Sequence, residues 1–301
     1  MKRKFNLSLR GRSTVSGLLF ISPWLIGMAV FFLYSVIRAF SFSFNDVGME
    51  GGFSTSWVGL DNFRFILFEH GTYNRILFDS VTRIFLHLPL IIFFSLFMAI
   101  LLNRAFAGRA LVRAIFFLPV ILASAAIQEP TQMVVGLMLG GVTSLPPEII
   151  REQTGFNAQV VANMLLEFGV PTQIIDFIID SIAQLHDVIR ASGVQILIFL
   201  AALQAIPSSM YEVAQIEGAT SYEIFWKITI PMVSPLILTN IVYTIVDSYV
   251  QSSVVSSAHI TAFTFLEFGR SSAMSVISSS VVLLLMGILV WLVSKRVFYY
   301  N

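Results

Sequence analysis

The chain contains no cysteine. That removes disulfide staples and thiolate metal sites from consideration. Charge is nearly as scarce: only 12% of the 301 residues are charged, against about 25% in an ordinary soluble domain. A net charge of +1 says nothing by itself about a polyanionic partner, and no nucleic acid is expected. The sequence G-x-x-x-x-G-K-[ST] is absent, so the chain cannot cradle ATP in that manner. Neither G-x-S-x-G nor H-E-x-x-H occurs. Runs of serine at 252–257 and 275–280 offer hydroxyls, with His259 near one of them, but no paired-carboxylate or base arrangement accompanies them. His87 and His259 stand alone without a partner at metal spacing and are read as structural, so no metal site is expected.

What the chain has is apolarity: 56% hydrophobic residues and a mean hydropathy of +0.84. A hydrocarbon core of about 30 Å needs ~20 apolar residues in a helix. Measured that way, the sequence predicts an all-α polytopic membrane protein with about six spans. They cover roughly 15–39, 81–102, 114–139, 190–206, 232–251 and 273–293. Residues 1–14 form a basic tail and 15–301 one transmembrane domain, with no repeat or low-complexity linker. The basic start resembles a signal peptide, but its apolar run is about twice an h-region and no A-x-A-like site follows. It is read as a retained span.

Orientation follows from where the cations lie. Lys2, Arg3, Lys4, Arg10 and Arg12 precede the first span, Arg104, Arg109 and Arg113 join the second to the third, and Lys295 and Arg296 follow the sixth. Asp46, Glu50, Asp61, Glu69, Glu148 and Glu152 fall on the opposite side. Both termini are therefore expected inside. The outside segments are 40–79, with the turn cluster VGMEGGFSTS, and 140–189. In the latter, Ile174, Phe177, Ile178, Ile182 and Leu185 recur at helical spacing between aspartates. This predicts an interfacial helix leading into the fourth span; a seventh, poorly marked span is the alternative.

The segment 207–231 breaks the apolar pattern. Pro207 stops the fourth span. Ser209 and Glu212 have capping-box spacing, Gly218 can end a helix in the left-handed conformation, and Thr220 and Glu223 repeat the box. Pro231 suits the first turn of the next helix, and Pro235 adds a kink. A rigid helix–corner–helix element is predicted, with an apolar and aromatic second arm: Tyr222, Ile224, Phe225, Trp226 and Ile228. Such a surface suits a protein partner. A solvated hairpin with its aromatics against the bilayer is the competing reading.

The residues themselves resemble the EAA motif of the permease subunits of ABC importers: E-A-A, three residues, G, nine residues, I-x-L-P. Here they are Glu212, Val213, Ala214, Gly218, Ile228, Ile230 and Pro231. All spacings match. Val213 replaces an alanine, Glu217 the common aspartate and Ile230 a leucine. FLAALQAIP before the motif and the P-x-x-x-P step after it are similar to sugar-importer permeases of the maltose and glycerol-phosphate type. The likeness is densest over 113–235.

The resemblance implies a coupling helix gripped by a cytoplasmic ATPase, through Glu212, Val213, Ala214, Glu217, Gly218, Ala219, Phe225, Ile228 and Pro231. It implies the partners as well: a second permease subunit, two copies of the ATPase, an external solute-binding protein and the lipid bilayer of a prokaryotic plasma membrane. No cofactor is expected on this chain, with ATP and Mg on the ATPase. The solute is expected to be a sugar or oligosaccharide. Glycerol phosphate or a polyamine is the alternative, although a phosphate would favour more Arg and Lys at membrane depth. A stand-alone carrier would predict inverted repeats, and none is visible.

Polar side chains within spans mark the candidate solute path, because they are costly unless they face a cavity or another helix. Asn240, Tyr243, Asp247 and Gln251 fall on one face of the fifth span, with Ser248 beside them. Gln128 and Glu129 lie in the third span, and Arg190, Ser192 and Gln195 at the start of the fourth. Hydrogen bonds between helices are the competing explanation for all of these.

Overall fold

The structure is a computed structural model, and it describes residues 9–48, 54–104 and 171–297, with the isolated positions 108, 111, 114 and 166. The third predicted span, with Gln128 and Glu129, and most of the segment 140–189 lie outside the described residues. Contacts divide the chain into two compact bodies. One comprises residues up to Val81 with Tyr249–Leu284; the other comprises Thr82–Ser248 with the residues from Leu285 onward.

In the first body, helix α1 (Leu9–Gly27) runs through a wide π-helical stretch, Met28–Leu33, into α2 (Tyr34–Ser43). Strands β1 (Asn45–Gly48) and β2 (Ser54–Trp57) then pair antiparallel, Asn45 opposite Trp57 and Gly48 opposite Ser54. This hairpin flanks the predicted Gly/Ser turn cluster and departs from an all-helical expectation. A short helix, α3 (Asp61–Arg64), continues into a π turn, Phe65–Glu69. Asn62 is buried, and its amide donates to the carbonyls of Ser43 at 3.1 Å and Asn45 at 3.0 Å. It thereby ties α3 to the hairpin root. Helix α4 (Tyr73–Asn103) starts eight residues before the predicted second span, and only its first residues belong to this body.

The first body is closed by parts of later elements. Tyr73 is fully buried and donates its hydroxyl to the carbonyl of Met274 at 2.7 Å. Ile66, Tyr73, Val254, Ala258, Ala273 and Met274 form its core. Val254 and Ala258 come from α10 (Ser253–Phe263), a helix the sequence reading left unassigned.

In the second body, α5 (Thr172–Ala191) meets α6 (Gly193–Ala205) at Ser192. The amphipathic periodicity read in 174–189 is therefore a helix, but the fourth span is not one continuous rod. Ile206 turns extended (ψ 123°), and α7 (Ser208–Ile216) leaves at 62°. Then come α8 (Ser221–Ile224), a π turn at Phe225–Thr229, and α9 (Ile230–Val250). Ala99, Leu102, Ile196, Phe199, Leu203 and Val233 form the core of this body, from α4, α6 and α9. Helix α11 (Phe268–Ser294) is shared between the two bodies.

Among the described residues, Gly17–Ser43, Tyr73–Asn103, Ser221–Phe263 and Phe268–Ser294 are long and apolar enough to cross a membrane. The bent pair α6 and α7 makes a fifth if counted as one span. These four ranges overlap the predicted first, second, fifth and sixth spans.

Candidate functional site

The corner after α7 is built by local hydrogen bonds. Gly218 adopts φ +80°. The amide of Ala219 donates to the carbonyl of Ala214 at 2.9 Å, and that of Gly218 to Gln215 at 3.0 Å. This pair of bonds is a Schellman motif, and it satisfies carbonyls that a helix end leaves orphaned. A side chain at 218 would meet nothing within 4 Å, so glycine is required by conformation rather than by space.

The second arm begins as the sequence predicts. Thr220 Oγ1 accepts from the amide of Glu223 at 3.3 Å, and the Glu223 carboxylate accepts from the amide of Thr220 at 3.0 Å. This is a complete capping box. Glu223 stands in the charged first turn, ahead of the apolar stretch 232–251. The Thr220 amide first, then Lys227, draw its carboxyl down to about 2. Lys227 lies one turn on, 3.1 Å from Glu223. The first predicted box does not form: α7 begins at Ser208 with Pro207 at the cap and no side-chain cap bond. Proline supplies the fixed φ there, so the Ser209 hydroxyl lies two positions past the cap.

Pro231 lies in the first turn of α9, where it has no amide to donate and its ring crowds the carbonyl four residues back. The backbone answers by widening. The amide of Ile230 reaches back five residues to Phe225 across the π turn. Tyr211 and Thr229 close the base of the two arms through their hydroxyls, 3.3 Å apart.

Ala214, Glu217, Gly218, Ala219, Glu223, Ile224, Lys227 and Ile228 line a concave pocket of about 390 Å³. Of the residues predicted to couple, Ala214, Glu217, Gly218, Ala219 and Ile228 thus meet around one hollow. Glu212 and Val213 are exposed beside it, Ala214 is buried, and Phe225 and Pro231 are half-buried. Ile216 is 85% exposed and Tyr222 73%. The corner therefore offers water an apolar rim, carboxylates and a hollow. Lys227, Tyr211 and Thr229 were not singled out by the sequence reading, whereas Ile224 was expected on the second arm. The i, i+4 spacing of Glu223 and Lys227 was the available signal for the lysine.

The predicted path residues separate. Gln195 and Asn240 are fully buried and meet each other. Gln195 Nε2 donates to Thr244 Oγ1 at 3.0 Å, and Asn240 Nδ2 donates to the backbone carbonyl of Gln195 at 3.4 Å. Ser192, also buried, donates its hydroxyl to the carbonyl of Val188. Tyr243, Asp247 and Ser248 are half-buried, whereas Arg190 and Gln251 are exposed. Among the described residues no group of three His, Cys, Asp or Glu could hold a metal.

No protein-family model matches the chain. It is 30% identical over 242 residues to the probable ABC transporter permease protein YesP of Bacillus subtilis, covering 79% of this chain and 71% of that one. It is also 30% identical over 249 residues to the lactose transport system permease protein LacF of Rhizobium radiobacter, covering 79% and 74%. Its fold matches a chain in the crystal structure of a bacterial ABC transporter involved in the import of the acidic polysaccharide alginate. The TM-score is 0.63 at 20% identity, covering 95% of this chain and 98% of that one. A related alginate transporter structure, in complex with an alginate pentasaccharide-bound periplasmic protein, matches with a TM-score of 0.62 at 18% identity, covering 94% and 96%. The chain belongs to the permease subunits of carbohydrate-uptake ABC importers, a multi-pass protein of the bacterial membrane that is distinct from the ATPase.

Proposed function

We propose that the chain forms half of the pore of an ATP-driven importer, carrying a sugar or oligosaccharide handed over by an external solute-binding protein. Its corner at 207–231 is a cytoplasmic coupling element seated on one of two ATPase subunits. A second permease subunit completes the pore. Six spans with both termini inside would leave the corner in the cytoplasm.

The observation that carries this reading is the corner itself. A Schellman turn at Gly218 and a capping box at Thr220 hold two arms rigidly around a hollow that none of the described residues fills. Exposed Val213, Ile216 and Tyr222 around it favour a protein partner over water. A partner wedge entering that hollow would push on Ala214 and Ile228 together, and so on α7 and the start of α9. The sugar reading leans on LacF and the alginate transporters, whose names state lactose and alginate. The solute path is assigned to the face of α9 bearing Tyr243, Asp247 and Ser248, where a ring, a carboxylate and a hydroxyl suit a polyhydroxylated ligand.

The test is Glu212→Lys in the full transporter. It should insert and fold as the wild type yet fail to retain the ATPase on purification. A variant that keeps the ATPase and transports normally ends the coupling assignment. For the solute, glycans are screened for stimulation of ATP hydrolysis in the complete complex. Stimulation by glycerol phosphate or a polyamine, and by no glycan, overturns the sugar reading.

A further inference from the structure

Helices α6 and α9 flank the corner, one leading into it and one leading out. They are joined at two levels. Near the corner, Tyr211 meets Thr229. About 16–22 Å further on, along α9, Gln195 meets Thr244, and Asn240 meets the Gln195 carbonyl. Between these levels the contact is apolar, through Phe199, Leu203 and Val233.

The far joint is unusual in its economy. Gln195 and Asn240 are fully buried, and the oxygens Oε1 of Gln195 and Oδ1 of Asn240 have no hydrogen-bond partner among the described residues. A buried acceptor left unpaired carries a desolvation penalty, so replacing such groups with apolar ones of the same shape can be neutral or stabilising. Stability is therefore a poor reason for amides at this level. Register is a better one. Alkyl ridges let one helix slide or roll on another with little change in contact, whereas a bond to a particular backbone carbonyl is lost when α9 shifts by one residue, about 1.5 Å. A single buried polar residue setting register at a cost in stability is well attested in helix pairs.

We propose that Gln195 and Asn240, with Thr244, are positioning residues that lock the axial register of α6 and α9. The corner and the membrane portions of both helices then move as one lever. Without the lock, a push delivered at Ala214 would be spent in slippage between the helices. The inference rests on the coupling reading above.

The experiment uses the complete transporter in liposomes, with thermal midpoint, ATP hydrolysis and uptake measured on the same preparations. Asn240→Leu, Gln195→Met and Thr244→Val are expected to hold or raise the midpoint and to keep the ATPase bound. Solute moved per ATP should fall about fivefold, the effect of one net hydrogen bond. Thr244→Ser, which keeps the hydroxyl, should restore the ratio. Unchanged transport per ATP in all three apolar variants overturns the register lock. So does a fall in uptake that only tracks a lowered midpoint. Glu212→Lys, run in parallel, separates the two claims. If it loses the ATPase while the three variants transport normally, the lock alone falls. If it retains the ATPase and transports normally, the coupling reading falls and takes the lock with it.

Discussion

The corner at 207–231 and the first body of the molecule are both small, hydrogen-bonded assemblies, yet they are made in opposite ways. In the corner the bonds that set the backbone join residues three to five apart: Ala219 to Ala214, Thr220 to Glu223, Ile230 to Phe225. In the first body the decisive bonds are long-range. Asn62 reaches 17 and 19 residues back, and Tyr73 meets Met274 across 201. The corner is self-supporting, and the described residues leave its surface open. The first body spends its polar groups on itself. A local motif can be rigid and still unfilled, which is what a docking element needs; a long-range knot can only be rigid by being filled.

This contrast can be broken or sharpened by substitution. The largest effect is expected from Ala214→Trp, which fills the hollow from within. Transport should fall about thirtyfold or more, the weight of an interface hot spot of ~2 kcal/mol, while the thermal midpoint stays put. A variant that unfolds, or that transports normally, would erase the distinction between open corner and closed body. Next comes Gly269→Ala. Its added carbon would stand 2.2 Å from the Asn45 carbonyl oxygen, a backbone atom that cannot step aside. A loss of about 1–3 kcal/mol is expected, read as a lowered midpoint in denaturation of the purified subunit.

Gly218→Ala sharpens the comparison from the other side. No atom is in its way, so only the left-handed conformation resists, at about 1–2 kcal/mol. Hydrogen exchange should show fraying confined to 214–220. Smaller again is Tyr73→Phe, which removes one donor from the Met274 carbonyl while the Ser278 hydroxyl stays 2.9 Å away. The cost should be about 1 kcal/mol. The least effect concerns acidity. Because the folded Glu223 titrates near 2 rather than at its usual 4.5, its capping contribution is fully present above about 4.5. It declines as pH falls below about 4.5 and is gone once pH has fallen through about 2. A carboxyl carbon titration by NMR that finds Glu223 near 4.5 would remove the box from the account.

Much of the corner was legible because its rules are local. Gly218, Thr220 with Glu223, and Pro231 each carry their conformational consequence within one helical turn. The failure at Ser209 has the same scale: Pro207 caps the helix two residues earlier and makes the serine redundant. The π turn at 225–229 was not legible, since its cause is Pro231 but its site is one turn upstream. The hairpin Asn45–Trp57 and the role of Asn62 were not legible either. Nothing in NDVG or STSW alternates apolar and polar, and the pairing is secured by a side chain from another element.

The membrane helices show where the boundary falls. By itself the sequence determined that long apolar rods alternate with polar joints, and that one joint is a capped, glycine-hinged bend. Hydropathy and helix capping act over a turn or a span, so they can be read along the chain. Tertiary structure alone decided which buried polar residues face one another. Asn240, Tyr243 and Asp247 share a helical face on paper. Packing buries Asn240 completely against Gln195 and leaves the other two half open. A residue's periodicity says which neighbours share its face, but only the approach of a second helix says what that face meets.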